Sequence, residues 1–413
     1  MPRSCKAVPF RIAFTVNGPG EVAGWLRPLL HRLYDREPDL EAHVFVVPDD
    51  YATGREADVA QTWFPRARVH APKQYVRAAL GLQSTSLPKR LDCVHYLGGD
   101  LLHAARLHRR FGGRALAYKF SRKRYGRLFE IVFAVDDANE RQLLHWGVPG
   151  DRIRKVGNLA IDGALLEAEQ PLEPVAPHDG ILIMPGSRRY EVEHLVPFFF
   201  TAALRMHARN PEVAIAFALA PFTDLAEIER AVASGGDPRV YARKGRLTIE
   251  NGQAYLESAE GGVRFALLRN GLTAAKVARL VLTIPGTKTI ELAALSVPVL
   301  SCIPLNAPEL AAINGPLTYL DRVPLVGVVL KRAAVLAAAR RFPLLCQPNI
   351  DAGREIIPEL KSTLTPGYVA RKTLELYGDR HRLAAMAAEL GRLYERHAGA
   401  AQRMSTAILG SIA

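Results

Sequence analysis

The sequence has few of the features that mark several common protein classes. Its 413 residues include only four cysteines, Cys5, Cys93, Cys302 and Cys346, which are far apart and form no CxxC pair. This spacing disfavours a zinc site and a disulfide framework, and it predicts buried free thiols. The 12 histidines include no HExxH-like spacing, so we expect no protein-bound metal.

Long hydrophobic runs are also missing. The longest uncharged apolar stretches, such as Val213 to Phe222, run about ten residues, whereas a membrane-spanning helix needs about 20. The N-terminus enters a strand-like segment almost at once, without the apolar region and cleavage site of a secretory signal. The sequence therefore predicts a cytoplasmic protein without a spanning helix.

The composition is that of a folded protein with an excess of positive charge. Apolar residues make up 49% and charged residues 23%, which excludes disordered and collagen-like classes. At roughly 100 to 200 residues per domain, the length predicts two domains. Lysine and arginine number 54 against 41 aspartates and glutamates, a net charge of +13, which favours phosphate, nucleic acid or an anionic membrane as a partner.

The order of predicted elements favours the α/β class. Strand-like runs such as RIAFTV, AHVFVVP and LDCVHYL alternate with helical segments, which is typical of a parallel sheet covered by helices. A proline-rich and acidic stretch at 165–180 predicts a domain boundary, and the same alternation restarts at Ile181. Residues 222–263 are less regular and stay unassigned. Beyond Thr365, a predicted N-cap followed by Pro366, the chain reads as helices.

Two turns are candidates for an anion site. Gly186, Ser187 and Arg188 lie where a strand passes into a helix, so backbone N–H groups, a hydroxyl and a cation could face a phosphate. Gly286 and Thr287 form a second such turn, with Glu291 placed one helical turn later to accept two ribose hydroxyls. The alternatives are a plain turn capped by Ser187 and a first-turn carboxylate that the helix dipole favours.

A third glycine-rich turn follows the first predicted strand. Gly18, Gly20 and Glu21 lie between this strand and a helix, so the backbone there can approach a ligand closely. The segment is not a GxGxxG fingerprint, and a tight turn without a ligand remains the alternative.

Five segments, read in order, resemble the successive signature blocks of the lipid-A-disaccharide synthases, which are nucleotide-sugar glycosyltransferases of the GT-B class. They are GPGEVAGWLRPLL, VGNLAIDG, ILIMPGSRRYEVEHLVPFFFTAA, TIPGTKTIELAALSVPVL and QPNIDAGREIIPELKSTLTP. The resemblance implies two Rossmann-like domains whose parallel sheets face a central cleft. It places an acceptor domain at 1–165, a nucleotide-sugar domain at 175–365, and helices at 366–413 that pack back across the cleft.

The activity that the resemblance implies is an inverting transfer. A diacylglucosamine would pass from UDP to a lipid-linked glucosamine phosphate at the inner face of the cytoplasmic membrane, with UDP released and with neither metal nor cofactor. Carried over by position, the nucleotide-sugar residues are Gly186, Ser187, Arg188, Glu191, Gly286, Thr287, Thr289, Glu291, Asn349, Arg354 and Glu355. The acceptor-side residues are Gly18, Gly20, Glu21 and Asn158.

This chain departs from the family pattern in its N-terminal half. Trp25 stands where the family has an aspartate, Asn158 stands where it has a histidine, and an aromatic segment is missing after Phe120. The family's catalytic acidic segment retains one aspartate, Asp100. An inverting transfer still needs a proton acceptor and positive charge at the leaving diphosphate, so we expect Asp100, with Glu21 as the alternative, to act as base and Arg188 to stabilise the diphosphate. His103 is a weaker candidate.

The positive charge is concentrated between Arg106 and Arg127, where nine arginines and lysines occur without an acid and with aromatic residues between them. This segment favours contact with an anionic membrane. A solvated basic face and nucleic-acid binding are the alternatives, and no nucleic-acid module is present. Three other functions stay open: a transferase with a different glycolipid acceptor, an inactive nucleotide-sugar-binding homologue, and a UDP-sugar epimerase on the same fold.

Overall fold

The chain forms two compact units. The computed structural model describes residues 9–49, 52–82, 87–120, 125–308 and 327–411. Unit 1 comprises residues 1–163 and 396–413, and unit 2 comprises residues 164–395. The last predicted segment, 366–413, is thus divided between the two units. The functional assignment of the predicted domains stays a prediction.

Unit 1 is built on a seven-stranded parallel sheet with the order β3-β2-β1-β4-β5-β6-β7. Its strands are β1 (Arg11–Val16), β2 (Glu41–Val46), β3 (Arg68–His70), β4 (Cys93–Tyr96), β5 (Arg114–Tyr118), β6 (Ile131–Ala134) and β7 (Ile153–Lys155). One large cluster in this unit buries Phe45, Tyr75, Leu107 and Phe129. The order reverses direction between β1 and β4, as in doubly wound sheets.

Helices connect these strands. They are α1 (Pro19–Glu21), α2 (Arg27–Arg36), α3 (Glu56–Trp63), α4 (Pro72–Ala79), α5 (Leu101–Phe111), α6 (Asp137–His145) and α7 (Leu159–Glu167). A π-helical turn, Val22–Leu26, joins α1 to α2. Helix α5 begins at Asp100, whose carboxylate accepts the N–H of Leu102, and it ends at Gly112 with a φ of 71°.

Unit 2 contains an eight-stranded sheet with the order β10-β11-β12-β9-β8-β13-β14-β15. Its strands are β8 (Ile181–Met184), β9 (Ile215–Ala218), β10 (Gly245–Glu250), β11 (Gln253–Ser258), β12 (Arg264–Leu268), β13 (Leu280–Thr283), β14 (Val299–Pro304) and β15 (Glu359–Ser362). The strands from β12 to β15 in this order are parallel, whereas β10 and β11 form an antiparallel hairpin at the edge. This order also reverses direction, between β8 and β13.

The edge hairpin accounts for much of the unassigned stretch 222–263. Its turn residues Asn251 and Gly252 have φ values of 51° and 81°, the left-handed conformations that a type I′ turn requires. A helix, α9 (Leu225–Ser234), precedes the hairpin in this stretch. The sheet of the second unit is therefore parallel, as expected, with an antiparallel hairpin at one edge.

The helices of unit 2 continue to the C-terminal region. They are α8 (Val196–Arg209), α9 (Leu225–Ser234), α10 (Gly271–Val277), α11 (Thr287–Ala294), α12 (Gly327–Arg341), α13 (Gln347–Ala352), α14 (Pro366–Gly378) and α15 (Arg380–Tyr394). The predicted start of α14 is confirmed, because the Thr365 hydroxyl accepts the N–H of Tyr368 and Pro366 is the first helical residue. The apolar side of α15, which includes Met386 and Leu390, is buried, and α15 packs on α11.

The architecture of two Rossmann-like α/β units with C-terminal helices is therefore confirmed. Cys93, Cys302 and Cys346 are buried free thiols as predicted, and Cys5 lies outside the described residues. None of the helices in the described parts of the chain combines the length and the apolar character needed to cross a membrane.

The last helix, α16 (Ala400–Gly410), belongs to unit 1 and packs on α2. Asp162 of α7 anchors its start, since its carboxylate accepts the N–H of Gly399 at 2.7 Å and that of Ala401 at 2.5 Å. Met404 is fully buried and lies 3.4 Å from the Nε2 atom of the buried His95. The final helix is thus part of the unit 1 core.

Replacing Asp162 with alanine should loosen this helix. The two N–H groups would lose a charged acceptor, so we expect the free energy of unfolding to fall by about 1–3 kcal/mol, measured by urea unfolding. Asp151→Ala, at an exposed 3-10 turn of the same unit, is the control. An equal effect of both changes would contradict the anchoring role.

Candidate functional site

In each unit several of the candidate residues follow the two strands between which the strand order reverses. Strands β1 and β4 are neighbours in unit 1, and β8 and β13 are neighbours in unit 2. Open α/β sheets bind ligands at the carboxyl ends of such strand pairs, because the helices that follow them diverge to opposite faces. The two edges are therefore the candidate sites of the molecule.

At the unit 1 edge, the turn after β1 packs against the loop after β4. Asn17 donates a hydrogen bond to Asp49 at 2.7 Å. A Cβ atom added to Gly98 would lie 2.4 Å from Oδ1 of Asn17 and 2.7 Å from Cγ of Glu21. Glycine at position 98 therefore permits Glu21 and Asn17 to approach the β4 loop. Gly18 caps the three-residue helix α1 in an extended conformation, and Gly20 lies within that helix.

Asp100 follows β4 at this same edge, which confirms its predicted position at the carboxyl end of a strand. Its side chain is exposed and accepts the N–H of Leu102 at 2.9 Å, so it also caps α5. His103, one turn later, shares a 2.6 Å hydrogen bond with the hydroxyl of Tyr75 on α4. Burial lowers the pKa of His103. Asp100 thus combines a structural role with the exposure that a base requires.

Two of the departures from the family pattern, Trp25 and Asn158, lie near one side chain, that of Tyr118. The ring of Trp25 packs edge-on against that of Tyr118, with centroids 5.5 Å apart. The Tyr118 hydroxyl donates to the carbonyl of Gly157 at 3.3 Å and accepts the N–H of Leu159 at 3.0 Å. Asn158, between these two residues, is buried and accepts the N–H of Ala160 at 3.1 Å. Trp25 and Asn158 therefore belong to one packed cluster.

The first turn of unit 2 is closed by its own carboxylate. Glu191 is buried, and its Oε2 atom accepts the N–H of Ser187 at 2.7 Å and that of Arg188 at 2.9 Å. These are two of the N–H groups that the sequence suggested for a phosphate, so that expectation is corrected here. Ser187 does not cap the helix either. Arg188, whose side chain is partly exposed, remains as the group that this turn presents.

The second turn of unit 2 is open. Gly286 has a φ of 150°, and a Cβ added there would meet no atom within 4 Å. Gly286 and Thr287 are exposed, whereas Thr289 is buried and donates its hydroxyl to the carbonyl of Gly286 at 2.8 Å. Thr289 therefore stabilises the turn from within, and the backbone of 286–287 is the part that a ligand can reach.

Glu291 lies behind this turn in an ion pair. The Nζ atom of Lys288 is 2.5 Å from its Oε2 atom. Burial raises the pKa of Glu291, and Lys288 opposes the shift. Burial disfavours the charged form of Lys288, yet the carboxylates of Glu291 and Glu167 outweigh this effect and raise the pKa of Lys288. Lys288 therefore stays charged at neutral pH.

The last of the five family-like segments, QPNIDAGREIIPELKSTLTP, is held mainly by contacts within unit 2. Asn349 is fully buried; its amide donates to Ile357 and Glu359, and its Oδ1 atom accepts the N–H groups of Ile356 and Ile357, all at 2.8 Å. Arg354 is exposed and pairs with Glu389 of α15 at 2.9 Å. Glu355 is exposed, and α13 packs beside α11. The amide of Asn349 therefore stabilises the fold in this conformation.

Sequence reasoning missed Asn17, Asp49 and Lys288. Asp49 comes directly after the predicted strand AHVFVVP, so its place at the carboxyl edge could have been inferred. No pattern in the sequence indicates that Asn17 reaches it. Within the described residues, no group of three or more histidine, cysteine, aspartate or glutamate side chains could hold a metal ion.

Removing the Asn349 amide should destabilise unit 2. Asn349→Ala removes the acceptor of the Ile356 and Ile357 N–H groups and one of the donors to the Glu359 carboxylate, and we expect it to lower the free energy of unfolding by about 2–4 kcal/mol. The control is Gln347→Ala on the same helix, whose amide donates to Asp351 at the surface. Urea unfolding of both variants tests the expectation, which a stable Asn349→Ala protein would refute.

Comparison with known sequences shows a distant relationship. No family model matches the chain. It is 28% identical to the lipid-A-disaccharide synthase of Cupriavidus pinatubonensis over 217 residues, which cover 52% of this chain and 42% of that protein. It is 29% identical to the lipid-A-disaccharide synthase of Burkholderia mallei over 276 residues, which cover 63% of this chain and 58% of that protein. The matches thus span about half the length of these relatives.

Solved structures show the same fold at low identity. UDP-N-acetylglucosamine 2-epimerase from Neisseria meningitidis, bound to UDP-N-acetylglucosamine, matches with a TM-score of 0.58 and 12% identity over 97% of this chain and 100% of that one. The glycosyltransferase of kitacinnamycin matches with a TM-score of 0.52 and 14% identity over 98% and 100%. The chain therefore has a GT-B-like fold and is a distant homologue of the lipid-A-disaccharide synthases.

Proposed function

We propose that this protein is an inverting glycosyltransferase that transfers an acylated glucosamine from UDP to a lipid-linked glucosamine phosphate and releases UDP. The observation that carries the proposal is the pair of cation-bearing turns after β8 and β13, side by side at the strand reversal of unit 2. The distant homology to lipid-A-disaccharide synthases supports the choice of donor and acceptor. The Neisseria structure with bound UDP-N-acetylglucosamine supports a nucleotide-sugar site on this fold.

In this proposal unit 2 holds the donor. The exposed backbone at 286–287 and the N-terminus of α11 receive a phosphate, and the Arg188 guanidinium offsets the negative charge that develops on the leaving diphosphate. Glu291 accepts hydrogen bonds from the ribose hydroxyls. Glu191 has a positioning role. Its hydrogen bonds with the N–H groups of Ser187 and Arg188 fix the turn from which the Arg188 guanidinium extends.

Unit 1 binds the acceptor and supplies the base. Asp100 takes the proton of the attacking acceptor hydroxyl, which then forms the new bond to the anomeric carbon while UDP leaves with the bonding electrons. Asp100 is the first choice because it is exposed and follows β4, at the edge where the connections after β1 and β4 leave toward opposite faces of the sheet. Glu21 is the second choice, since it contacts the same loop at Gly98.

The first experiment measures UDP release from UDP-2,3-diacylglucosamine in mixed micelles, with and without diacylglucosamine 1-phosphate. We expect release that depends on the acceptor, together with a disaccharide product. Asp100→Asn should lower turnover by about 100-fold or more. It should leave the melting temperature unchanged, because asparagine caps a helix as well as aspartate does. Unchanged turnover in both Asp100→Asn and Arg188→Ala would refute the assignment of these residues.

Two related functions have support of their own. The likeness to UDP-N-acetylglucosamine 2-epimerase favours an epimerase, which would convert UDP-N-acetylglucosamine without any acceptor. The changes at Trp25 and Asn158 favour a transferase with a different glycolipid acceptor, because they lie in the acceptor unit. A protein that binds UDP but never releases it from a donor would be an inactive homologue.

The peripheral location at the membrane has structural support in α4 and α5. Val76, Leu80 and Leu82 are exposed apolar residues on and just after α4, and Leu80 is 72% exposed. Helix α4 also carries Lys73 and Arg77, and it packs on α5, which carries Arg106, Arg109 and Arg110. Apolar side chains surrounded by cations suit an anionic lipid surface. Arg122, Lys123 and Arg124 of the basic segment lie outside the described residues.

A double change, Leu80→Ser with Leu82→Ser, should reduce co-sedimentation with phosphatidylglycerol-containing vesicles, because it removes the apolar part of this surface while leaving its charge. Val329→Ser with Leu330→Ser, at two exposed apolar positions of α12, is the matched control. Binding should also weaken at high salt. Equal binding of the α4 variant and wild type would exclude this surface as the membrane contact.

A further inference from the structure

The two turns of unit 2 share one sequence pattern. Pro185 to Glu191 reads PGSRRYE, and Pro285 to Glu291 reads PGTKTIE. Each contains proline, glycine, a hydroxyl residue and a cation, followed three residues later by glutamate. The proposed donor site uses the cation of the first segment, Arg188. The matching cation of the second segment, Lys288, has no role in that proposal so far.

The structure places the two segments side by side. They follow neighbouring parallel strands, in which Met184 of β8 is paired with Thr283 of β13. The Thr283 hydroxyl donates to the Met184 carbonyl at 2.8 Å and so links the bases of the two turns. Arg188 and Lys288 therefore extend from the same edge of the sheet.

The glutamates of the two segments are held differently. Glu191 accepts two backbone N–H groups of its own turn, and its other oxygen is 3.9 Å from Arg188. Glu291 instead contacts the ammonium group of Lys288, and the turn in front of it at Gly286 is open. Backbone N–H groups are fixed in place, whereas a lysine side chain can change partners by rotation about its four side-chain bonds.

Lys288 is paired with a carboxylate, and it directly follows the open turn at 286–287 in the chain. Its side chain is 35% exposed, and the carboxylates of Glu291 and Glu167 interact with it electrostatically. A buried carboxylate beside a diphosphate would repel it unless a cation lay between them. Lys288 is placed to be that cation.

We propose that Lys288 is a second diphosphate-binding residue, which pairs with Glu291 until a nucleoside diphosphate binds and then contacts a phosphate oxygen while Glu291 accepts the ribose hydroxyls. This inference rests on the proposed donor site in unit 2. In this arrangement Arg188 and Lys288, the two cations of the repeated pattern, both contact the diphosphate, each from one of the two neighbouring turns of unit 2.

Binding of UDP and of uridine separates this role from a structural one. Uridine has the ribose but no phosphate. Lys288→Gln should weaken UDP binding by about 10- to 100-fold, the effect of losing one charge-assisted hydrogen bond, and leave uridine binding unchanged. Lys288→Arg, which keeps the charge, should recover most of the UDP affinity. Ligand-observed NMR measures both ligands, and thermal unfolding verifies that the variants are folded.

The matched control is Lys372→Gln on α14. Lys372 also pairs with a glutamate three residues later, Glu375, at 2.6 Å, but on the helix surface. Lys372→Gln should leave the affinities for UDP and for uridine unchanged. Equal weakening of UDP and uridine by Lys288→Gln would show that Lys288 acts only by holding Glu291, and unchanged UDP binding would show that it does not touch phosphate; either result overturns the inference. If the wild type binds no UDP, the proposed donor site itself fails, and the inference fails with it.

Discussion

The position of most candidate catalytic and binding residues depends on the reversal of strand order in each sheet. The order reverses between β1 and β4 in unit 1 and between β8 and β13 in unit 2. At each reversal the connections from two neighbouring strands leave toward opposite faces of the sheet, so the strand ends remain uncovered. Asp100, Glu21, Arg188 and Lys288 all lie in the turns or the first helical residues after these four strands.

Buried carboxylates then decide which of these turns a ligand can reach. A carboxylate removed from water needs donors, and it takes them from the nearest N–H groups or cations. Glu191 takes the backbone of its own turn and closes it. Glu291 takes a lysine side chain, and its turn stays open. Two segments with the same pattern of residue types therefore differ in how their turns are held, because one glutamate is bonded to backbone donors and the other to a lysine side chain.

Much of the fold follows from local sequence, and the details of the site do not. The strand preceding Asp100, the cap at Thr365 and the buried side of α15 depend on alternation, capping and helical periodicity, all of which are local. The hydrogen bonds of Asn349, the contact of Asn17 with Asp49 and the pairing of Lys288 with Glu291 depend on chain packing or on rotamer choice. For this reason the sequence predicted open N–H groups at Ser187 and Arg188, where Glu191 occupies them.

The changes in unit 1 are coupled by packing. Trp25 takes the place of an acidic family residue and packs on Tyr118, and Tyr118 bonds the backbone on both sides of Asn158, where the family has histidine. A carboxylate at position 25 would lose the ring contact that Trp25 makes with Tyr118. Unit 2, in contrast, keeps three short sequences of the family-like segments: PGSR at 185–188, GT at 286–287 and PN at 348–349. The residues of the proposed donor site therefore follow the family pattern, whereas Trp25 and Asn158 in the proposed acceptor unit depart from it.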